Sequence, residues 1–401
     1  MELGPMGPIG EGAALMLRVN RNCPWNRCLF CPVYKENRFS ARPVGEVKRD
    51  IDAARRIGDL LEGTSWEMGL NGWIHHEVIQ GVIRKYSPIY GEVSSRGKKD
   101  QWEALRCLGN LANWYMHGMR RVFLQDADAL FLKAGNLIEV LEYLKEVFPT
   151  VDTVTCYARS HTCARRSAED WKKLHEAGLS WCFVGIESGC DEVLDSMKKG
   201  ASRKGHVEGG RKLMDSGVRM AAFVMPGLAG RDPERSRRHI ADTIAVLNEI
   251  RPTEVRVRSL AVLESAPLYG KWTAGEFLPP GEDQMVEELK ELITGLTFDC
   301  TFETLQMTNA FTFRGRLPAQ KNAFLGALAD YQSLPPLERA RYLLKRCLQG
   351  GYLDFVRNRG RLDPVLTMKI EEAEKILEEE GPDALEKVGA ALFDLKAKGI
   401  P

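Results

Sequence analysis

The sequence has almost no net charge: across 401 residues, 56 Lys and Arg face 55 Asp and Glu, which leaves +1. Bulk charge therefore gives no footing to a polyanion-binding protein, although a local basic patch is compatible with the tally. Long apolar runs are missing too. The longest, residues 220–230, is about half of what a bilayer demands and contains Pro226. Ten cysteines are too thin a density for a disulfide scaffold. The opening MELGPMGPIGEG has no basic segment ahead of an apolar one, so no secretory signal is expected and the chain reads as cytoplasmic. The cysteines then read as thiols or metal ligands. No internal repeat and no low-complexity tract is present. What is there is an ordinary composition, 44% apolar and 28% charged, ample for a core and too apolar for disorder. The length suggests two to three domains, or one barrel with an appendage.

Short apolar runs at 14–20, 121–127, 153–159, 181–187, 219–225 and 254–260 read as strands. Amphipathic stretches at 44–61, 102–117, 136–147, 168–177, 190–197 and 235–249 read as helices. The alternation predicts βαβ units and a parallel sheet. Six such units with right-handed crossovers predict an α/β fold, a partial (β/α)6 TIM-like barrel. Residues 1–13 read as an irregular lead-in and 14–280 as the barrel. Residues 62–98 carry Trp66, Trp73, His75, His76 and several glycines, and read as an inserted loop region of the kind that often touches substrate. Residues 281–401 read as a mainly helical C-terminal domain. In it, Asp363-Pro364 is a cap and first helical position, Gly381-Pro382 ends the helix, and 298–317 is expected to be partly extended.

Strand parity sorts side chains onto two faces, one meeting the helices and one lining the lumen. The apolar parity places Leu15, Leu17 and Val19, then Val154, Cys156 and Ala158, then Cys182, Val184 and Ile186, then Val255 and Val257 against helices. The lumen then receives Arg18 and Asn20, Thr155, Tyr157 and Arg159, Phe183, Gly185 and Glu187, and Glu254, Arg256 and Arg258. Such a lumen is too polar for a filled barrel core and suits a charged small molecule, with paired lumen ions as the alternative.

Directly after the first strand comes RNCPWNRCLFCP, in which Cys23, Cys28 and Cys31 form a C-x4-C-x2-C run. Three thiolates within nine residues wrap one soft-metal centre, and thiolate softness selects zinc, Cu(I) or iron–sulfur. Structural zinc asks for four protein ligands, so a zinc site here needs a remote fourth. A [4Fe–4S] cluster with one open iron needs only these three.

The run resembles the cluster motif of the radical S-adenosylmethionine (radical SAM) enzymes. Their usual spacing is C-x3-C-x2-C with an aromatic before the third cysteine; Phe30 supplies that aromatic, and the first gap is one residue longer. The resemblance covers residues 14–265 and is greatest to the branch with oxygen-independent coproporphyrinogen oxidases, methylthiotransferases and the elongator-type catalytic subunit. FVGIESGCDEVLDSMKKG, FVMPGLAG and VRVRSLAVLESAPLY are similar to its fourth-, fifth- and sixth-strand segments. The resemblance implies a [4Fe–4S] cluster on Cys23, Cys28 and Cys31, with the amino and carboxylate groups of SAM on the open iron. It implies reductive cleavage of SAM to a 5′-deoxyadenosyl radical that abstracts hydrogen from substrate, the cofactors carrying the hard chemistry. It implies oxygen sensitivity and a one-electron reductant such as flavodoxin or ferredoxin as partner. Residue by residue, it places Phe30 near the adenine and Glu187 on the ribose. Lys199 falls near the SAM carboxylate, and Met225 and Pro226 along the adenine. Gln125, Asp126 and Asp128 stand where the family has a Gly-Gly-Glu segment for the SAM amino group, and Arg159 is a further cofactor contact on the third strand.

The other seven cysteines form no C-x2-C pair, so no second cluster is expected. Histidines 75, 76, 117, 161, 206 and 239 read as packing or surface residues, with His161 the one placed on the active face. Arg256, Arg258, Tyr157 and His161 are candidate substrate contacts, joined by Arg165 and Arg166. The first reading of function is a radical SAM enzyme acting on a small anionic molecule. Neither a membrane nor a nucleic acid is expected as partner, because the C-terminal segment shows no basic, aromatic-rich accessory domain. The alternatives are a radical SAM enzyme that modifies RNA, and a non-catalytic iron–sulfur or zinc protein. No cobalamin domain precedes the cysteine run in this sequence, so cobalamin-dependent methylation through one is not expected.

Overall fold

The computed structural model describes residues 1–5, 7, 10–91, 97–349, 364–379, 381 and 383–398. Its fold is mixed α/β with a mainly parallel sheet, in the hydrogen-bonded order β1-β4-β5-β6-β7-β8-β9-β10. Contacts divide the chain into two units: Met1–Pro24, Glu36–Phe183 and Lys212–Arg219 in the first, and Trp25–Lys35, Val184–Arg211 and Met220–Pro401 in the second.

The first unit holds β1 (Leu15–Arg18), the short antiparallel pair β2 (Asn20–Arg21) and β3 (Ser40–Ala41), and α1 (Val44–Glu67). There follow α2 (His76–Lys85), α3 (Ser87–Tyr90), α4 (Lys98–Met116), β4 (Arg121–Gln125), α5 (Ala134–Val147), β5 (Thr153–Ala158), α6 (Ser160–Arg165) and α7 (Ala168–Ala177). Strands β1, β4 and β5 pair in parallel, with Leu15 opposite Val122 and Arg121 opposite Thr153. The parity read from the sequence is realised here. Cys156 and Cys182 lie on one face with sulfurs 3.7 Å apart. Phe123, Tyr157 and Phe183 gather on the other, with centroids 5.1–6.2 Å apart. Each aromatic pair adds about 1 kcal/mol beyond its area.

The stretch that breaks the strand–helix rhythm is largely helical rather than a loop. The α1 helix runs on to Glu67, and α2 starts at a His75 cap whose Nδ1 accepts from the Glu77 amide at 3.3 Å. Glycine and tryptophan density masked this, because the buried stripe of α2 is only Val78 and Val82. Trp66 and Trp73 are 62% and 77% exposed.

The nine-residue strand β6 (Leu179–Glu187) begins in the first unit and ends in the second. After it come α8 (Asp191–Ser196), α9 (Arg203–Asp215), β7 (Arg219–Val224), α10 (Pro233–Ile250), β8 (Glu254–Val257) and α11 (Pro267–Thr273). The chain continues through α12 (Glu282–Gly295), β9 (Cys300–Glu303), β10 (Arg314–Leu317), α13 (Lys321–Ser333), α14 (Pro336–Leu348), α15 (Pro364–Glu378) and α16 (Ala384–Ala397). Helix α10 starts where Asp232 accepts from the Arg235 amide at 2.7 Å with Pro233 at the first position. β7, β8 and β9 are parallel and β10 is antiparallel to β9, so the partly extended 298–317 stretch lengthens the sheet by two strands. The Asp363 cap and the Pro382 stop lie outside the described residues. No described helix is long and apolar enough to cross a membrane.

Candidate active site

The part of the cysteine run that belongs to the second unit, with Cys28 and Cys31, is fastened at Leu29. The Leu29 amide donates to the Met197 carbonyl at 3.0 Å, and the Leu29 carbonyl accepts from Leu268 at 2.9 Å. The Leu29 side chain is buried with Met197, Met225, Leu228 and Leu268, and Phe30 packs on the same cluster. Trp25 Nε1 donates to the Lys198 carbonyl at 2.7 Å, with the Arg27 guanidinium 5.1 Å from the ring centroid. Gly200 leaves room for that ring: its φ is +62°, and a Cβ there would sit 2.2 Å from Trp25 Cζ2. Leu29 is thus anchored in apolar surroundings between two half-buried cysteines, Cys28 and Cys31.

Four further residues singled out by the sequence meet beside this loop. Lys199 Nζ lies 5.7 Å from the Phe30 ring centroid and 3.1 Å from Glu187 Oε1. Glu187 ends β6 with φ +62°, a left-handed conformation that costs a non-glycine residue about 1–2 kcal/mol. Its carbonyl accepts from the Met225 amide at 3.0 Å, and the Pro226 carbonyl accepts from Leu260 at 2.9 Å. Gly185 shares the face of Glu187: a Cβ on it would fall 2.4 Å from Glu187 Oε1 and 2.9 Å from Lys199 Nζ. The Glu187–Lys199 pair thus lies over bare backbone.

Side chains not singled out hold the segment after β7. His239 of α10 faces the Met225 carbonyl with Nε2 at 3.2 Å and Ser188 Oγ with Nδ1 at 2.7 Å. Glu288 of α12 accepts from the Gly227 amide at 2.5 Å and from Ser236 Oγ. Burial pushes the His239 imidazole down to about 4 and the Glu288 carboxyl up to about 7. No sequence periodicity marks either residue, and the buried face that carries His239 also carries Ser236 and Thr243.

In the first unit, Asp126 Oδ2 accepts from Arg18 at 2.5–2.7 Å and from the Asn22 amide at 3.1 Å, tying down the residue before Cys23. Gln125 Oε1 accepts from the Gly4 amide at 2.8 Å. Asp128 is fully buried; its Oδ2 accepts from Thr162 at 2.5 Å, and its Oδ1 has no hydrogen-bond partner among the described residues. Burial pushes this carboxyl up to about 6, against the Thr162 hydrogen bond and the Arg159 and Arg166 charges. Tyr157 belongs to the aromatic trio, Arg159 precedes α6, and His161 is exposed, its imidazole lowered by burial and then by Arg159 and Arg165. A carboxyl with a raised folded pKa holds a proton that the unfolded chain has released. The Asp128 contribution to stability should therefore fall as pH rises from about 4 to about 6 and level off above, seen as the difference between wild type and a variant that cannot titrate there. Asp128→Asn, which keeps an acceptor for Thr162, should remove about 2–3 kcal/mol of that fall, read as unfolding free energy against pH.

Of the arginines expected to meet an anionic substrate, Arg165 and Arg166 lie in the first unit, where the buried Arg166 guanidinium donates to the Leu130 and Leu132 carbonyls, and Arg256 and Arg258 lie in the second. Arg256 Nε is held by Glu254 and, at 3.0 Å, by Glu303, with the guanidinium 5.9 Å from the Phe223 ring. Its charge is matched by two carboxylates. The Arg258 amide donates to the Val224 carbonyl at 3.0 Å, and the residue is half-buried.

The donor set at the cysteine run fits an iron–sulfur centre by its chemistry. Cys23, Cys28 and Cys31 are half-buried, whereas the other seven cysteines are buried. Burial raises the Cys300 thiol to about 12 and those of Cys163 and Cys182 well above their ordinary value, which withholds the thiolate a metal needs. Among the described residues no three His, Cys, Asp or Glu side chains are gathered at metal-holding distance. The assignment therefore rests on accessibility and ligand type.

No known family profile matches the chain. It is 27% identical over 289 residues to the tRNA uridine(34) acetyltransferase of Methanocaldococcus infernus, across 69% of this chain and 48% of that protein. It is 26% identical over 284 residues to the protein of the same name from Methanocaldococcus jannaschii, across 69% and 48%. The chain thus spans about half the length of the curated relatives it matches. Among solved structures it is similar to the cobalamin-dependent S-adenosylmethionine radical enzyme OxsB, at 13% identity and a TM-score of 0.42, across 96% of this chain and 59% of that one. The two relatives, both named for a tRNA uridine, correct the expectation of a small-molecule partner with nucleic acid set aside. That expectation leaned on a whole-chain charge tally, which is blind to local patches, and on Arg256, whose charge is internally matched.

Proposed function

We propose that the chain is a radical SAM enzyme that modifies RNA, with a tRNA nucleoside as substrate. The observation that carries the reading is the fastening of the cysteine loop through Leu29, which brings Phe30, Lys199, Glu187 and Met225 together. In this reading Cys23, Cys28 and Cys31 hold a [4Fe–4S] cluster, which when bound supplies the electron for reductive cleavage of SAM. Phe30 and the Met225-Pro226 segment present apolar surface to the adenine, which has a flat face to stack and little charge to satisfy. Glu187 accepts from the ribose hydroxyls. Lys199, held beside Glu187, brings an ammonium charge suited to a carboxylate. The buried Leu29 cluster excludes water from one side. The tRNA assignment draws its support from the relatives and fits a charge-balanced chain that reads a folded RNA locally.

The test is anaerobic. Protein reconstituted with iron and sulfide is reduced with dithionite and given SAM, with and without bulk tRNA. The expected result is 5′-deoxyadenosine that rises with tRNA, and a mass-shifted nucleoside in the tRNA digest. A well-formed cluster that yields neither with any tRNA pool overturns the RNA assignment. Zinc in place of a cluster overturns the radical reading.

A further inference from the structure

We propose that His239 and Glu288 are positioning residues that clamp the backbone of Met225, Pro226 and Gly227 in the shape that receives the nucleoside part of SAM. This rests on the preceding assignment of Met225 and Pro226.

The geometry is a closed account of backbone groups. A carbonyl only accepts, so the Met225 carbonyl requires a proton on His239 Nε2. Burial keeps the imidazole neutral, which makes Nδ1 the acceptor for the Ser188 hydroxyl and fixes one tautomer, and Ser188 Oγ in turn accepts from the Cys190 amide at 3.0 Å. The ring joins the loop after β6 to the loop after β7 from a seat on α10. Thr243, one turn on, takes the Gly189 amide at 2.8 Å. On the far side of the segment Glu288 takes the Gly227 amide. Gly227 has φ +88°, and a Cβ on it would fall 2.9 Å from Met285 Sδ and Pro280 Cγ, so the turn is pressed against α12 and the irregular segment leading to it. With the Met225 amide on Glu187 and the Pro226 carbonyl on Leu260, four successive polar backbone groups are used.

Both clamps are titratable groups in nearly complete burial, an environment that favours an apolar residue of the same size unless the hydrogen bonds serve a purpose. Packing alone would be served by Phe at 239 and Met at 288. What those residues cannot do is fix which way the Met225 carbonyl and the Gly227 amide point. Helix α12 lies beyond the last strand of the barrel as read from the sequence, so this gives that region a part in the site.

The experiment uses the full chain and four substitutions: His239→Phe, His239→Gln, Glu288→Met and Glu288→Gln. Glutamine offers an amide group that donates and a carbonyl oxygen that accepts, so it can restore each bridge. Two readouts are taken: SAM dissociation by equilibrium dialysis on the reconstituted protein, and amide exchange of the peptide covering residues 224–229 in the unreconstituted chain. The Phe and Met variants should bind SAM roughly tenfold more weakly and exchange roughly tenfold faster, the loss of about one net hydrogen bond, with iron content unchanged. The Gln variants should return to within about threefold of wild type. Unchanged exchange in folded Phe and Met variants overturns the clamp. Equal losses in Gln and Phe or Met variants overturn it as well, since that is the signature of packing. Wild-type protein that binds no SAM would sink the proposed function, and the exchange data would still decide the clamp.

Discussion

Cys28→Ala should cut the iron retained after anaerobic reconstitution from roughly four atoms per chain to background, and 5′-deoxyadenosine with it. Cys300→Ala should retain both. The contrast follows from where the thiols sit. Cys28 lies half-buried in a loop pinned by its neighbour Leu29, so the backbone survives loss of the sulfur. Cys300 lies within β9, fully buried, with its thiol pushed up to about 12. It is a small apolar residue there, and trimming it to alanine leaves a modest cavity. Iron analysis, the visible absorption of the cluster and the product assay read the outcome together. A Cys28→Ala protein that keeps a full cluster would remove these three cysteines from the metal site, and the reading of Phe30 and Lys199 would lose its anchor.

Much of this was legible in the sequence, for identifiable reasons. Parity needs only the two-residue repeat of a strand, and it correctly separated Cys156 and Cys182 from Tyr157 and Phe183. The Glu187 and Gly185 face followed from the same rule, and the structure adds that Glu187 lies over the hydrogen of Gly185. Two helices were harder. Helix α9 (RKGHVEGGRKLMD) has too few apolar residues to show a stripe, and α2 sits among glycines and tryptophans that read as loop. The pairing of Arg256 was invisible because one of its carboxylates, Glu303, comes from β9, 47 positions further along the chain. The His239 and Glu288 bridges were invisible for the same cause: each joins elements distant in sequence through backbone atoms, and backbone atoms leave no residue-type signal.

Gly189→Ala should be among the most destabilising single-methyl additions in the second unit. An alanine Cβ at 189 would stand 2.2 Å from the Asp242 carbonyl oxygen, 2.5 Å from its carbon and 2.7 Å from the Thr243 nitrogen. All three are backbone atoms inside α10, which cannot retreat without breaking the helix's own hydrogen bonds. The loop must move instead, and it carries the Gly189–Thr243 and Ser188–His239 bonds with it. Overpacking costs about 1–3 kcal/mol and each lost bond about 1 kcal/mol, so a loss of about 3–5 kcal/mol is expected. It should appear as a lower urea midpoint with an unchanged slope. Gly185→Ala is the informative partner. The atoms nearest its Cβ would be Glu187 Oε1, Lys199 Nζ and Glu187 Cδ, in two flexible side chains, so the fold should lose less than about 1.5 kcal/mol. The Glu187–Lys199 pair would nevertheless be driven off the strand. If that pair serves SAM, Gly185→Ala should be a stable protein that binds SAM poorly, whereas Gly189→Ala should fail first in folding. A Gly189→Ala chain with the wild-type midpoint would mean that α10 does not lie against the loop after β6, and the seat argued for His239 would go with it.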